Sequence, residues 1–147
     1  MVLSIKSYKT PLRYPGGKSR ACKKMDPFFP DLRYYDAYYE PFLGGGSVAL
    51  HITKKYPKLK IIVNDLYEPL YNFWLRLQLD GDYVHSELQQ LKSRFPDRGS
   101  ARGLFLDAKE KLYDLDVSDK DRAVCFYIIN KCSFSGLTES SSFSEQA

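Results

Sequence analysis

Two short stretches of the chain have the hydrophobic pattern of strands, and a helical pattern lies between them. The aromatic-rich residues 34–42 predict a first strand, and residues 60–65 predict a second, mostly buried strand. Between them, residues 48–56 repeat apolar side chains at the spacing of an amphipathic helix. The order strand, helix, strand predicts a βαβ unit with a parallel sheet.

The rest of the chain has the spacing of helices. A helix is predicted to begin at Glu68, and the helical period continues over residues 82–132. Ser118 and Asp121 resemble a capping box ahead of the apolar residues 122–131. This apolar segment also suits a buried strand, but its length and its cap favour a helix. The first 30 residues are predicted to be rich in loops, and the serine-rich residues 135–147 are predicted to be a loop.

Composition excludes several classes of protein. Of the 147 residues, 44% are hydrophobic, which is enough for a packed core, and no apolar run is long enough to span a membrane. The N-terminal segment is too polar for a secretory signal. The three cysteines are widely spaced, which fits reduced thiols in the cytoplasm better than disulfides or a zinc site. The net charge of +4 is compatible with nucleic acid as a partner but does not establish it.

The main chemical signal follows the first predicted strand. Gly44, Gly46 and Ala49 have the G-x-G-x-x-G/A spacing between a strand and a helix, where glycine permits a sharp turn and close approach of a ligand. Asp65 follows about 20 residues later, at the end of the second strand, where a carboxylate can accept hydrogen bonds from ribose hydroxyls. Together they predict a site for an adenosine-containing cofactor. The simpler alternative is a tight turn with a solvated aspartate.

Charge separates two kinds of cofactor. A dinucleotide brings an anionic pyrophosphate to such a turn and to the helix N-terminus. Glu40 stands beside this position, and its charge disfavours phosphate. S-adenosylmethionine instead brings a sulfonium and an ammonium group, which a carboxylate favours. The charge argument therefore prefers S-adenosylmethionine, unless Glu40 points away or forms a structural ion pair.

A second glycine-containing segment lies near the N-terminus. Gly16 and Gly17 permit close backbone approach, Lys18 can pair with the carboxylate of a methionine moiety, and Tyr14 can pack on the cofactor. Taken alone, this segment is better explained as a surface turn.

Together these residues resemble the Dam-type family of DNA adenine methyltransferases. The resemblance consists of an aromatic-x-Gly-Gly-Lys segment, a glycine motif, a ribose-binding acid and a stretch that leads into a target-recognition region. It assigns to the cofactor the residues Tyr14, Gly16, Gly17, Lys18, Glu40, Pro41, Phe42, Gly44, Gly46, Ser47, Asp65 and Leu66. By position alone, the candidates for DNA contact are Asn130, Lys131 and Ser133.

The resemblance implies a fold and an activity. The fold is α/β: a Rossmann-like S-adenosylmethionine-dependent methyltransferase fold, incomplete here, with a helical insertion leading into the target-recognition region. Residues 1–80 would form the cofactor-binding part, and residues 81–147 the helical segment and the start of the recognition region. The activity is site-specific transfer of a methyl group from S-adenosylmethionine to the exocyclic amine of adenine in double-stranded DNA, without a metal.

One departure from the family limits this expectation. The family carries an Asp-Pro-Pro-Tyr tetrapeptide that holds the flipped adenine. This chain has none, since Asp26-Pro27-Phe28 lacks the second proline and precedes the first strand. We therefore expect no catalytic residue here and no methylation by the chain alone. Two other interpretations stay open: a non-catalytic DNA-binding or partner subunit, and another Rossmann-like nucleotide-binding fragment, such as part of a dehydrogenase.

Overall fold

A computed structural model describes residues 9–136 and 141–144 of the chain. The chain divides into two compact units, and the boundary lies between Asp65 and Leu66. The predicted division between residues 80 and 81 concerns cofactor binding and target recognition, and it stays a prediction. None of the helices in the described residues is both long and apolar enough to span a membrane.

A parallel pair of strands forms the sheet of the first unit. After the short helix α1 (Cys22–Met25), strand β1 (Ala37–Glu40) pairs with β2 (Lys60–Val63), and helix α2 (Ser47–Lys55) connects the two strands. The predicted βαβ order and the parallel pairing are confirmed. The buried hydrophobic side chains of this unit are Leu12, Cys22, Leu32, Leu43, Ala49 and Ile52.

The strands are shorter and more exposed than the sequence predicted. Only Ala37–Glu40 of the aromatic run is a strand, because the residues Leu32–Tyr34 before it form a 3-10 turn that Asp31 caps. In β2, Ile61 and Ile62 are half-buried and Val63 is 38% exposed. The prediction of a mostly buried second strand is therefore wrong for the described chain. In a two-stranded sheet each strand is an edge, so neither can be enclosed by neighbouring strands on both sides.

Helices build the second unit. They are α3 (Glu68–Leu79), α4 (Gly81–Arg94), α5 (Arg98–Lys111) and α6 (Asp119–Cys132). Helix α6 contacts the other three helices. The predicted helical period over residues 82–132 is confirmed.

The start of α6 shows why its apolar sequence forms a helix rather than a strand. The Oγ of Ser118 accepts the N–H of Asp121 at 3.2 Å and donates to the Asp121 carboxylate at 2.7 Å. This side-chain cap satisfies a backbone donor that would otherwise be left without a partner at the helix end. The predicted serine cap is confirmed, and the Asp121 carboxylate bonds the Ser118 hydroxyl rather than the Ser118 backbone N–H of a full capping box.

Aromatic rings fill the centre of the second unit. The ring centre of Phe73 lies 5.5 Å from that of Phe126 and 5.8 Å from that of Tyr127, and Phe73 and Tyr127 are stacked. Phe73, Phe105 and Phe126 are at most 2% exposed. Since burying each such side chain contributes about 1.5–3 kcal/mol, these rings are a major source of the unit's stability.

Candidate cofactor site

The glycine turn between β1 and α2 lies where both parallel strands end. Gly44 and Gly46 have φ angles of 51° and 69°, a left-handed conformation that favours glycine. The N–H of Leu43 donates to the carbonyl of Asn64 at 2.9 Å, and the N–H of Gly44 donates to the carboxylate of Asp65 at 2.8 Å. Two hydrogen bonds to the end of β2 therefore fix the turn.

The side chain of Tyr14 packs on this turn. A Cβ atom added to Gly44 would lie 2.9 Å from Cε1 of Tyr14, and one added to Gly45 would lie 2.8 Å from Cβ of Tyr14. Side-chain carbons do not approach this closely, so the tyrosine requires glycine at both positions. Burial, with a smaller contribution from the charge of Asp65, raises the pKa of Tyr14. Its hydroxyl therefore stays protonated at neutral pH.

The N-terminal glycine segment forms a tight turn of its own. The N–H of Gly17 donates to the carbonyl of Tyr14 at 2.9 Å, and Gly16 has a φ angle of 70°. The ammonium group of Lys18 donates to the carbonyl of Gly16 at 2.9 Å. Because this bond is exposed, Lys18 can exchange the carbonyl for a stronger, anionic acceptor at small cost.

These two turns and the end of β1 line a pocket of about 270 Å³. The predicted cofactor residues in its lining are Tyr14, Gly16, Gly17, Lys18, Glu40, Phe42, Gly44, Gly46 and Ser47. Sequence reasoning missed Pro15, Leu43, Gly45 and Val48, which also line the pocket and belong to the same two motifs.

Three predicted cofactor residues lie outside this lining. Asp65 does not line the pocket, but its carboxylate accepts the N–H of Gly44, which does. Pro41 is exposed next to Glu40. Leu66 belongs to the second unit, and its side chain is 92% exposed.

Glu40 lines the pocket and also caps α2. Its carboxylate accepts the N–H of Ala49 in the first turn of α2 and the hydroxyl of Tyr38 at 3.3 Å. The N-cap residue of α2 is Gly46, which has no side chain to offer, so Glu40 supplies the acceptor and a favourable negative charge at the helix N-terminus. Burial raises the pKa of Glu40, and the two hydrogen bonds oppose this shift. Glu40 does not point away from the pocket.

The residues predicted to contact DNA lie at the end of α6. Asn130 and Ser133 are both 0% exposed, and Nδ2 of Asn130 donates to the carbonyl of Gly136 at 3.0 Å. Nζ of Lys131 lies 5.2 Å from the ring centre of Tyr127. Asn130 thus holds the 3-10 turn Phe134–Gly136, and a contact of these residues with DNA stays a prediction.

No group of His, Cys, Asp and Glu side chains in the described part of the chain could hold a metal ion. The three cysteines are free thiols. Of these, Cys22 is buried in the first unit.

The amino-acid sequence matches a known family of enzymes. Residues 14–147 match the D12 class N6 adenine-specific DNA methyltransferase family. The chain belongs to this family. The match begins at Tyr14, the residue that packs on the glycine turn. Family membership confirms the resemblance to DNA adenine methyltransferases, and with it S-adenosylmethionine as the methyl donor of the family.

A curated relative supports the family assignment. The chain is 27% identical over 134 residues to the Type II methyltransferase M.MjaIII of Methanocaldococcus jannaschii. The alignment covers 86% of this chain and 46% of that protein, so the chain spans about half the length of the curated relative. The mixture of helices with a small parallel sheet is compatible with an α/β methyltransferase fold.

Proposed function

We propose that this chain binds S-adenosylmethionine in the pocket of its first unit and serves adenine-specific methylation of double-stranded DNA. The observation that carries the proposal is the pocket itself, in which two glycine turns meet the half-buried carboxylate of Glu40. Sequence and geometry agree here, because most of the residues that the motifs assign to the cofactor lie together.

The charges in the pocket fit the methyl donor. The Glu40 carboxylate is available to the ammonium of the amino-acid part, and it would repel the pyrophosphate of a dinucleotide. Lys18 can pair with the amino-acid carboxylate, and Asp65 lies at the tip of β2, where ribose hydroxyls are bound in α/β folds. Phe42, which is 81% exposed, offers a ring face to the adenine at the pocket rim.

S-adenosylmethionine supplies an electrophilic methyl group on its sulfonium. The residues of this chain bind and orient that group; they do not include the Asp-Pro-Pro-Tyr tetrapeptide that holds the target amine in the family. We therefore propose that the 147 residues bind the cofactor without transferring its methyl group.

The finer architecture is part of the proposal. The order strand, glycine turn, helix, strand and acid supports a Rossmann-like arrangement of β1, α2 and β2. Residues 1–80 would serve the cofactor and residues 81–147 the recognition of DNA. At the end of α6, Lys131 is the charged candidate for a DNA contact, and Asn130 and Ser133 would act by holding the backbone that follows.

Isothermal titration calorimetry on the 147-residue chain tests the cofactor assignment. We expect S-adenosylhomocysteine to bind at the pocket and NAD to give no heat. Saturable binding of NAD with none of S-adenosylhomocysteine would make the chain a different nucleotide binder. A transfer assay with labelled S-adenosylmethionine and DNA tests the second part, and robust methylation by this chain would contradict it.

A further inference from the structure

The pocket has two walls, one formed by residues 14–18 and the other by the glycine turn and the start of α2. A hydrogen bond next to the pocket joins these two walls. Oγ of Ser19, directly after the Gly-Gly-Lys segment, lies 2.8 Å from Oγ of Ser47, the first residue of α2. Ser47 lines the pocket and Ser19 does not. Ser19 instead lines an adjoining pocket, which shares Tyr14, Gly16, Gly17 and Ser47 with this one.

A buried thiol makes a second connection between the same walls. Sγ of Cys22 lies 3.2 Å from the carbonyl oxygen of Lys18 and 3.6 Å from that of Ser47. Burial raises the pKa of Cys22; a backbone hydrogen bond opposes this, and the charges of Asp26 and Glu40 add to it. The sulfur therefore keeps its proton at neutral pH and can donate it to one of these two carbonyls at a time.

We propose that Ser19 and Cys22 are positioning residues for S-adenosylmethionine: they hold residues 14–18 against the N-terminus of α2, so that the pocket is formed before the ligand arrives. Ordering a mobile loop on binding subtracts from affinity, and a loop that is already held avoids this cost. The inference rests on the proposed function, because it concerns the same ligand in the same pocket.

Because the hydrogen bond between Ser19 and Ser47 is exposed and lies beside the pocket, its loss should weaken ligand binding more than it lowers the stability of the fold. Both hydroxyls can bond to water when the chain unfolds, and their hydrogen bond is exposed in the fold. Such a bond adds little net stability. It does join the residue after Lys18 to Ser47, and both Lys18 and Ser47 line the pocket.

Titration of S-adenosylhomocysteine into serine variants of the 147-residue chain tests the proposal. Ser19→Ala should weaken binding about three- to tenfold, the range of one neutral hydrogen bond. Ser19→Thr keeps a hydroxyl and should bind within about twofold of the unsubstituted chain. In a Ser47→Ala background, Ser19→Ala should have almost no further effect, because its partner is already absent.

Cysteine variants test the buried connection. Cys22→Ala removes the donor and should weaken binding by a similar factor, whereas Cys22→Ser retains a donor and should recover part of the affinity. Ser93→Ala is the matched control, since the Ser93 hydroxyl bonds to the carbonyl of Gln89 within α4. Its affinity for S-adenosylhomocysteine should be unchanged.

Amide hydrogen exchange on the same variants separates positioning from stability. The positioning role is overturned if Ser19→Ala binds like the unsubstituted chain, if Ser19→Thr fails to restore affinity, or if the lost affinity tracks lost protection of the β1 and β2 amides. It is also overturned if the Ser19 and Ser47 effects are additive. If the unsubstituted chain itself binds no S-adenosylhomocysteine, the proposed function fails first and this inference fails with it.

Discussion

Replacing Gly44 by alanine should destabilise the first unit by about 2–5 kcal/mol, through two separable effects. Gly44 has a φ angle of 51°, and an L-residue in this left-handed region costs about 1–2 kcal/mol. The new Cβ would also lie 2.9 Å from Cε1 and 3.1 Å from Cζ of Tyr14. Overpacking of this kind costs about 1–3 kcal/mol.

Two neighbouring glycines provide matched controls. Gly16 has a φ angle of 70°, but an added Cβ meets no atom within 4 Å, so Gly16→Ala should show the backbone cost alone. Gly45 has no left-handed φ, but an added Cβ meets Tyr14 at 2.8 Å, so Gly45→Ala should show the clash alone. Removal of the ring in Tyr14→Ala/Gly44→Ala should recover the clash contribution and leave the backbone cost.

Native-state hydrogen exchange at the amides of Leu43 and Asn64 measures these effects. Both amides are hydrogen-bonded between the two strand ends, so they exchange when this part of the unit opens. Gly44→Ala should accelerate their exchange about 30-fold or more, since about 1.4 kcal/mol corresponds to a factor of ten. Equal acceleration by Gly44→Ala and Gly16→Ala, or no recovery in the double variant, would refute the packing of Tyr14 on the turn.

Three further predictions follow from single side chains. Glu40→Gln should weaken S-adenosylhomocysteine binding about 10- to 100-fold in calorimetry. Because burial raises the Glu40 pKa, the unsubstituted chain should lose affinity as the pH falls through that raised value. The Glu40→Gln variant should show no such pH dependence. Glu110→Gln, on the surface of α5, is the control. Phe73→Ala should destabilise the second unit by about 3–5 kcal/mol in urea unfolding followed by circular dichroism, and a loss below about 1 kcal/mol would contradict the central place of this ring. Gly103 lies in the middle of α5, and an added Cβ would meet no atom within 4 Å. Gly103→Ala should therefore stabilise the second unit by about 0.5–1 kcal/mol. A loss of stability would contradict an exposed helical position there.

Local sequence patterns predicted the helices well because their causes are local. The spacing of apolar side chains over residues 82–132 and the capping pair Ser118 and Asp121 act within one or two helical turns. The parallel pairing of the strands followed from the βαβ order. The low burial of β2 could not be read in the same way, because the burial of a strand depends on what lies beside it rather than on its own residues.

In the candidate site too, features set by local sequence were predicted, and contacts between distant residues were not. The glycine spacing predicted the turn that lines the pocket, because a backbone turn is fixed by nearby sequence. Three long-range contacts were not visible: the packing of Tyr14 on Gly44, the capping of α2 by Glu40, and the link from Cys22 to Ser47. Each joins residues that only the folded chain brings together. The Tyr14 contact also changes the explanation of the glycines, since Gly44 and Gly45 accommodate a side chain of the protein itself.

The carboxylate of Asp65 is a structural clamp as well as a candidate nucleoside acceptor, since it holds the amide of Gly44 at 2.8 Å. Replacing Asp65 would therefore loosen the bend and remove the acceptor in one step. Deoxyribose analogues of S-adenosylhomocysteine separate the two effects, because they delete a ligand hydroxyl and leave the polypeptide untouched. Under the proposed function, recognition and folding share this one side chain, so a mutation that changes ligand binding also perturbs the fold.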